Sequence, residues 1–195
     1  MVDQGLLAWG RRKPVARLPR LWLFTDTKRL PDPRHAAARL PIGRAGIVLR
    51  HDGVSDRVAL GRDLARICRM RRLVLVVAGD ARLAARLRAG LHLRAGRFPS
   101  PLRPRGTVTS SAHSVTELRR AAASGADLAF LSPTFPTESH LGAPGLGPLR
   151  WNLIARCLPP ACRMRIGALG GVSGASVRRL GARCVAIGAI TALSD

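Results

Sequence analysis

Eight short apolar runs, separated by stretches long enough to cross back over a sheet, constrain this chain more than any other feature. The runs are Leu21–Asp26, Gly46–Arg50, Leu73–Val77, Leu91–Leu93, Thr107–Thr109, Asp127–Leu131, Met164–Leu169 and Cys184–Ile187. Leu73–Val77 reads LVLVV, continuous rather than alternating, as a strand buried on both faces requires. Long crossovers force parallel pairing. No run is amphipathic, so no strand is marked as a half-exposed edge. The pattern predicts an α/β fold of the (β/α)8 TIM-type barrel class. An open flavodoxin-like or Rossmann sheet is the second choice, but the first βα turn lacks the glycine-rich phosphate fingerprint such sheets carry.

At 195 residues the chain is short for a barrel of this kind, whose usual size is roughly 250. Reduced helices after strands four and eight are expected to account for the deficit. Residues 94–105 contain three prolines and a glycine, which argues against a helix there, and little sequence follows the eighth run. Helical turns are predicted at 33–40, 54–70, 79–88, 114–124, 151–157 and 173–180. In the second of these, Val58, Leu60, Leu64, Ile67 and Cys68 recur near helical spacing, with Ser55 or Asp56 as N-cap. Ser114 and Glu117 form a capping box at the start of another, and Gly125 ends it. Residues 1–20 read as a basic, mobile tail, leaving residues 21–195 as a single barrel domain.

Composition narrows the partners. The net charge is +22, and of 33 basic residues all but Lys13 and Lys28 are arginine. Such a surface attracts anions. The arginines are dispersed, however, aromatics make up 4% and tyrosine is absent, so the stacking platforms of single-strand nucleic-acid binders are missing. Small phosphorylated ligands are the expected partners, nucleic acid is not, and a homo-oligomer is left open. Cys68, Cys157, Cys162 and Cys184 have no metal-ligand spacing and read as reduced thiols. No run approaches the roughly eighteen apolar residues of a membrane span, and the N-terminus does not have the order of a secretory signal. A cytoplasmic location is expected.

In a barrel of this class chemistry gathers at the C-terminal ends of the strands. Gly170-Gly171 after strand seven and Ile187-Gly188 at strand eight sit where such barrels bind phosphate, with a helix predicted to start near Ser173. The loop SPTFPTESHLGAPGLGP (132–148) is too long and polar for a plain connector, and its Thr137, Ser139 and His140 offer hydroxyl and imidazole groups to a phosphate or diphosphate. His113 follows strand five, and imidazole titrates near neutrality, as proton transfer requires.

These segments together resemble the thiamine-phosphate synthase/TenI family. The resemblance is carried by SSAHS (110–114), GADLAFLSPTFPTESHLGAPGLGP (125–148), IGALGGVS (166–173) and VAIGAI (185–190), with LWLFTD (21–26) similar to the opening strand. It implies a reaction in which Mg2+ assists departure of diphosphate from a hydroxymethylpyrimidine diphosphate. The resulting cation is then captured by the nitrogen of a thiazole phosphate. It implies pyrophosphate-binding roles for Thr137 and Ser139, with His140 standing where a lysine is usual. Gly170, Gly171, Ile187 and Gly188 would hold the thiazole phosphate, Ser111 would supply the strand-five hydroxyl, and Arg50 the arginine after strand two.

The chain departs from the synthase pattern in strands two to four. Gln and Lys of a Q-x-R-x-K motif are missing around Arg50. N-D-R at strand three reads Ala78-Gly79-Asp80, and H-L-G-Q-x-D at strand four reads His92-Leu93-Arg94-Ala95-Gly96, without its acid. Mg2+ prefers oxygen ligands, carboxylate or phosphate, and Asp80 is left as a weak candidate. The resemblance therefore implies Mg2+ if synthase activity is retained, and otherwise no cofactor. The alternatives are a TenI-like thiazole tautomerase, with His113 as acid/base and Ser111 beside it, or a non-catalytic protein that binds a phosphorylated ligand.

Overall fold

Every strand of the chain pairs in parallel with its sequence neighbour, and the eighth returns to pair with the first, closing the barrel. The computed structural model of the protein describes residues 3–11, 18–103, 105–137, 144–159 and 161–193. The strands are β1 (Leu21–Phe24), β2 (Ala45–Leu49), β3 (Val74–Ala78), β4 (Gly90–Leu93), β5 (Val108–Ala112), β6 (Leu128–Leu131), β7 (Arg165–Leu169) and β8 (Cys184–Ala189). The closed order excludes the open sheet considered as second choice. Four strands, β1, β2, β4 and β6, are buried at every position, which is why their sequences are apolar throughout rather than alternating.

The helices are α1 (Gln4–Gly10), α2 (Arg34–Arg39), α3 (Arg57–Arg71), α4 (Ala81–Leu87), α5 (Val115–Ala123) and α6 (Gly147–Arg156). On α3, Leu60, Leu64 and Cys68 fall on one face and are buried against the strands. Asp56 is its N-cap residue but makes no side-chain capping bond. Among the described residues, as the prolines of 94–105 predict, no helix lies between β4 and β5, and a 3-10 turn (Thr191–Leu193) follows β8. Burial pushes the thiols of Cys68 and Cys184 up to about 12, and all four cysteines are unpaired.

Two expectations are corrected. First, part of the supposed mobile tail is α1, docked on the barrel. Leu6 and Gly10 are buried, with Leu6 and Trp9 packed among residues of β6–β8 and Leu7 among those of β1–β2. Asp3 caps the helix through Leu6 N–H (3.0 Å) and also accepts from Gly174 N–H (2.8 Å), while its own N–H donates to Ala192 O (3.1 Å). The helix packs on β1, where Gly10 lies against Leu21, and its start is bonded to the 3-10 turn after β8. Second, the helix expected over 173–180 is reduced to a 3-10 turn, Val177–Arg179. Ser173 and Ser176 bond each other's hydroxyl and N–H groups, an alternative to helical pairing that serine offers readily.

Inside the barrel, Trp22, Phe24 and Phe130 pack edge to face, with centroid separations of 5.8 Å (Trp22–Phe130) and 4.9 Å (Phe24–Phe130). Rings of this size fit because small residues face them. A side chain at Gly46 would collide with Trp22, and one at Gly188 with Phe24. The barrel is therefore filled below and open only above Phe24, toward the C-terminal ends of the strands.

Candidate functional site

Above that aromatic layer lies a cavity of about 680 Å³, floored by Phe24, Ala78, His92 and Leu169. Its rim has two unlike sides, one contributed by β5–β8 and one by β1–β4.

On the first side the loop after β6 is locked to the loop after β7. Thr134 Oγ1 donates toward Leu131 O and Leu169 O (3.1 Å each) and accepts from Leu169 N–H (3.2 Å), while Phe135 N–H donates to Gly170 O (3.0 Å). Gly170 and Gly171 have φ of 90° and 63°, where L side chains are strained. A side chain at Gly171 would also run into the backbone of Phe135 and Pro136. These glycines thus have a packing reason of their own. A three-residue 3-10 turn supplies little of the helix dipole anticipated there.

β5 is longer than predicted and extends through Ala112, so Ser110 and Ser111 stand in the barrel wall and His113 immediately beyond it. Ser111 Oγ accepts from Ala95 N–H (3.2 Å) and Ser110 Oγ from Gly96 N–H (2.9 Å), which tethers the helix-free connection after β4. The capping box is modified. Ser114 Oγ accepts from Glu117 N–H (3.2 Å), but the Glu117 carboxylate reaches back to His113, bonding both its N–H (2.7 Å) and its ring Nδ1 (3.0 Å). A carboxylate on Nδ1 orients the imidazole and leaves Nε2 as the nitrogen for exchange. His113 lines the cavity.

The second side is charged. Arg29, Arg50 and Arg94 line it together with Asp26 and Asp52. Arg50 lies over the Phe24 ring (5.4 Å), donates Nε–H to Thr25 O (3.1 Å) and pairs with Asp26 (3.3 Å). Burial lowers the pKa of Arg50, an effect that Asp26 opposes. Burial alone would raise the Asp26 carboxyl. The Arg29 guanidinium, with the N–H groups of Arg29 and Lys28, outweighs it and holds the pKa at about 2. Asp52 is shared by Arg57 (3.1 Å) and Arg94. At the floor, His92 Nδ1 bonds the buried Thr109 hydroxyl at 2.8 Å. Burial, followed by the charges of Arg50 and Arg94, pushes its pKa down to about 3. His92 is therefore a neutral imidazole.

This arrangement does not fit Mg2+. Asp80 caps α4 through Leu83 N–H (2.9 Å) and faces Arg57 (3.7 Å), and it is not among the residues lining the cavity. Asp26 and Asp52 are likewise committed to arginines, and no group of three or more His, Cys, Asp or Glu side chains is arranged for a metal among the described residues. Mg2+ is held by carboxylates together with substrate phosphates, and the protein's own contribution at this rim is two arginine-paired carboxylates against three guanidinium groups.

Of the residues predicted from sequence, Arg50, Ser111, His113, Thr137, Gly170, Gly171 and Gly188 meet around one cavity. Ile187 does not line it. It is fully buried in the layer between barrel and helices and pairs with Leu21 and Ala168. Gly188 has a role in making room for Phe24. Ser139 and His140 lie outside the described residues. Sequence reasoning missed His92 and Arg94 as cavity residues. Strand parity carries the signal for His92, since it alternates with the outward Leu91 and Leu93. Among the described residues no helix is long and apolar enough to cross a membrane.

Residues 21–192 match the family model described as thiamine monophosphate synthase (TMP-TENI). The thiamine biosynthesis bifunctional protein ThiED of Geobacter sulfurreducens is 32% identical over 193 aligned residues, covering 93% of this chain; the chain spans 38% of that protein's length. Among solved structures, thiamine phosphate pyrophosphorylase from Pyrococcus furiosus superposes with a TM-score of 0.69 at 19% identity, covering 90% of this chain and 88% of its own. The thiamine phosphate pyrophosphorylase from Bacteroides thetaiotaomicron gives 0.56 at 17% identity, covering 90% and 84%. At those identities the two structures are similar to this chain in fold.

Proposed function

Because this chain belongs to the thiamine monophosphate synthase family, we propose that it binds a phosphorylated thiazole precursor in the cavity and isomerises it by proton transfer at His113. No divalent metal takes part. The observation that carries this reading is the pairing of Asp26, Asp52 and Asp80 with arginines, while His113, oriented by Glu117, lines the same cavity. His113 removes a proton from one position of the bound ring system and returns it to another, so substrate and product have the same atoms and charge. Glu117 stabilises the imidazolium that exists between the two transfers. Ser111 lies on the same wall as His113, and the phosphate is held at the rim by Arg50, Thr137 and the main chain at Gly170–Gly171. The same reading places the protein in the cytoplasm.

The test is a pair of assays on the same preparation: isomerisation of the thiazole carboxylate phosphate in EDTA, and joining of the pyrimidine diphosphate to the thiazole phosphate with Mg2+. Isomerisation without metal, lost in His113→Ala with ligand binding kept, supports the reading. Formation of thiamine phosphate with Mg2+ overturns it in favour of the joining reaction. Binding without either turnover assigns a ligand-binding role; it would appear as stabilisation of about 2.7 kcal/mol at a hundredfold excess over Kd.

A further inference from the structure

The charged side of the rim has an internal logic of which the isomerase reading uses only Arg50. Arg94 lies across the end of β3, its guanidinium Cζ, Nε and Nη2 each 3.2 Å from where a side chain on Gly79 would begin. Gly79 has φ 68° and is followed by Asp80, which is turned away into capping α4. Space that a side chain at the end of β3 would fill is thus taken by a cation. Asp52 ties Arg94 down from one side, and Arg57 holds Asp52 in turn (3.1 Å). Arg57 is itself fixed by the Ala78 carbonyl. Arg50 is held the same way, between Thr25, Asp26 and the Phe24 ring.

Each guanidinium has five N–H donors. Arg50 commits its Nε–H and one Nη2–H, and Arg94 commits one Nη2–H. Arg50 is thus held at two nitrogens and Arg94 is anchored to Asp52 at one, and each keeps further donors for bidentate recognition of phosphate oxygens. The carboxylates that a metal would need are the same groups that hold the arginines in place.

We infer that Arg94 and Arg50 form a guanidinium clamp that binds a diphosphate or phosphate group at the β2–β4 rim in place of a divalent cation. Occupancy of the clamp by the precursor's own phosphate rests on the isomerase reading; the binding of a diphosphate to the clamp does not. A cation–anion contact of this kind needs no metal, tolerates a chelator and weakens with salt.

Calorimetric titration of the full chain with inorganic pyrophosphate, and separately inorganic phosphate, in EDTA or in MgCl2 tests it. The clamp predicts pyrophosphate binding in EDTA that Mg2+ tightens by no more than about twofold. Arg94→Ala weakens it by about tenfold or more, as expected for loss of a charge-assisted bidentate contact. Arg94→Lys, which keeps the charge without the fork, loses less. Asp52→Asn weakens binding by less than Arg94→Ala does, because the guanidinium remains but loses the anchor that holds it in place. If Arg94 served Asp52 structurally, Arg94→Ala and Asp52→Asn would lower thermal stability and none of the three variants would alter pyrophosphate affinity. That outcome overturns the clamp, as does a requirement for Mg2+. Circular dichroism establishes that each variant is folded. These titrations need no thiamine precursor, so a failed isomerase assay leaves them readable, and a failed clamp leaves the isomerase assay readable.

Discussion

The two sides of the barrel rim are built on different principles. From β5 to β8 the rim is shaped by close packing. Thr134 stitches two loops together, and Gly171 sits where a side chain has neither a favourable backbone nor room. From β1 to β4 it is shaped by charge balance, with Asp26 and Asp52 each holding arginines over the aromatic floor. On the packed side, substitutions should damage the fold. On the charged side, they should leave a folded barrel with altered ligand affinity. His113 is the exception on the packed side, because its ring is half exposed and answers to Glu117 rather than to the core.

The largest effect that would sharpen this contrast is on turnover. His113→Ala should lower the isomerisation rate by about 10²- to 10⁴-fold, while phosphate-ligand affinity stays within about twofold and the unfolding midpoint is unchanged. Equal losses of rate and affinity in steady-state and binding measurements would make His113 a binding group. Next comes the fold itself. Gly171→Ala combines a positive φ with a collision against the Pro136 and Phe135 backbone, and should cost about 2–4 kcal/mol in urea unfolding. A cost below about 1 kcal/mol would show that the loop yields, and would break the claim that packing governs this side.

The barrel itself was readable in the sequence because most of its strands are short apolar runs at regular spacing, four of them buried at every position. The connections without helices were readable where proline forbids one, as between β4 and β5. What escaped depends on tertiary context. α1 spans seven residues, too short for periodicity to mark, and its stability comes from packing Leu6 and Gly10 on the barrel. The turn at Val177–Arg179 lies within the stretch predicted helical over 173–180, and the Ser173–Ser176 exchange that competes with helix formation needs the fold to be seen. For the site, position at the strand ends was enough to gather His113 and the glycines, while Arg50 and Ser111 came from the family resemblance. Arg94 appeared in sequence merely as a missing acid. Its seat over Gly79 is a contact between two strands, and spacing along one chain does not encode it.

A smaller effect concerns pH. His92 is neutral in the folded protein down to about pH 3, whereas in the unfolded chain it takes up a proton near 6.5. Between those values the unfolded state binds the extra proton, so the stabilisation present above pH 6.5 is lost as pH falls toward 3. The limiting slope is about 1.4 kcal/mol per pH unit. His92→Gln should flatten that slope in denaturant midpoints measured from pH 7 to pH 4; an unchanged slope would mean the floor of the cavity admits charge. Smallest is Asp3→Ala, which removes the α1 cap and the bond to Gly174 and should cost about 1 kcal/mol. No measurable loss would show that α1 is held by its apolar face alone.

The difference between the two sides comes down to whether the charged rim holds a metal. Manganese titration followed by electron paramagnetic resonance reads this directly, with Mn2+ standing in for Mg2+ and inorganic pyrophosphate present at saturation. With arginines in place of metal ligands, the bound signal should match that of the Mn2+–pyrophosphate complex in buffer and stay the same in Asp80→Ala. One tightly held Mn2+ per chain, lost in Asp80→Ala, would contradict it.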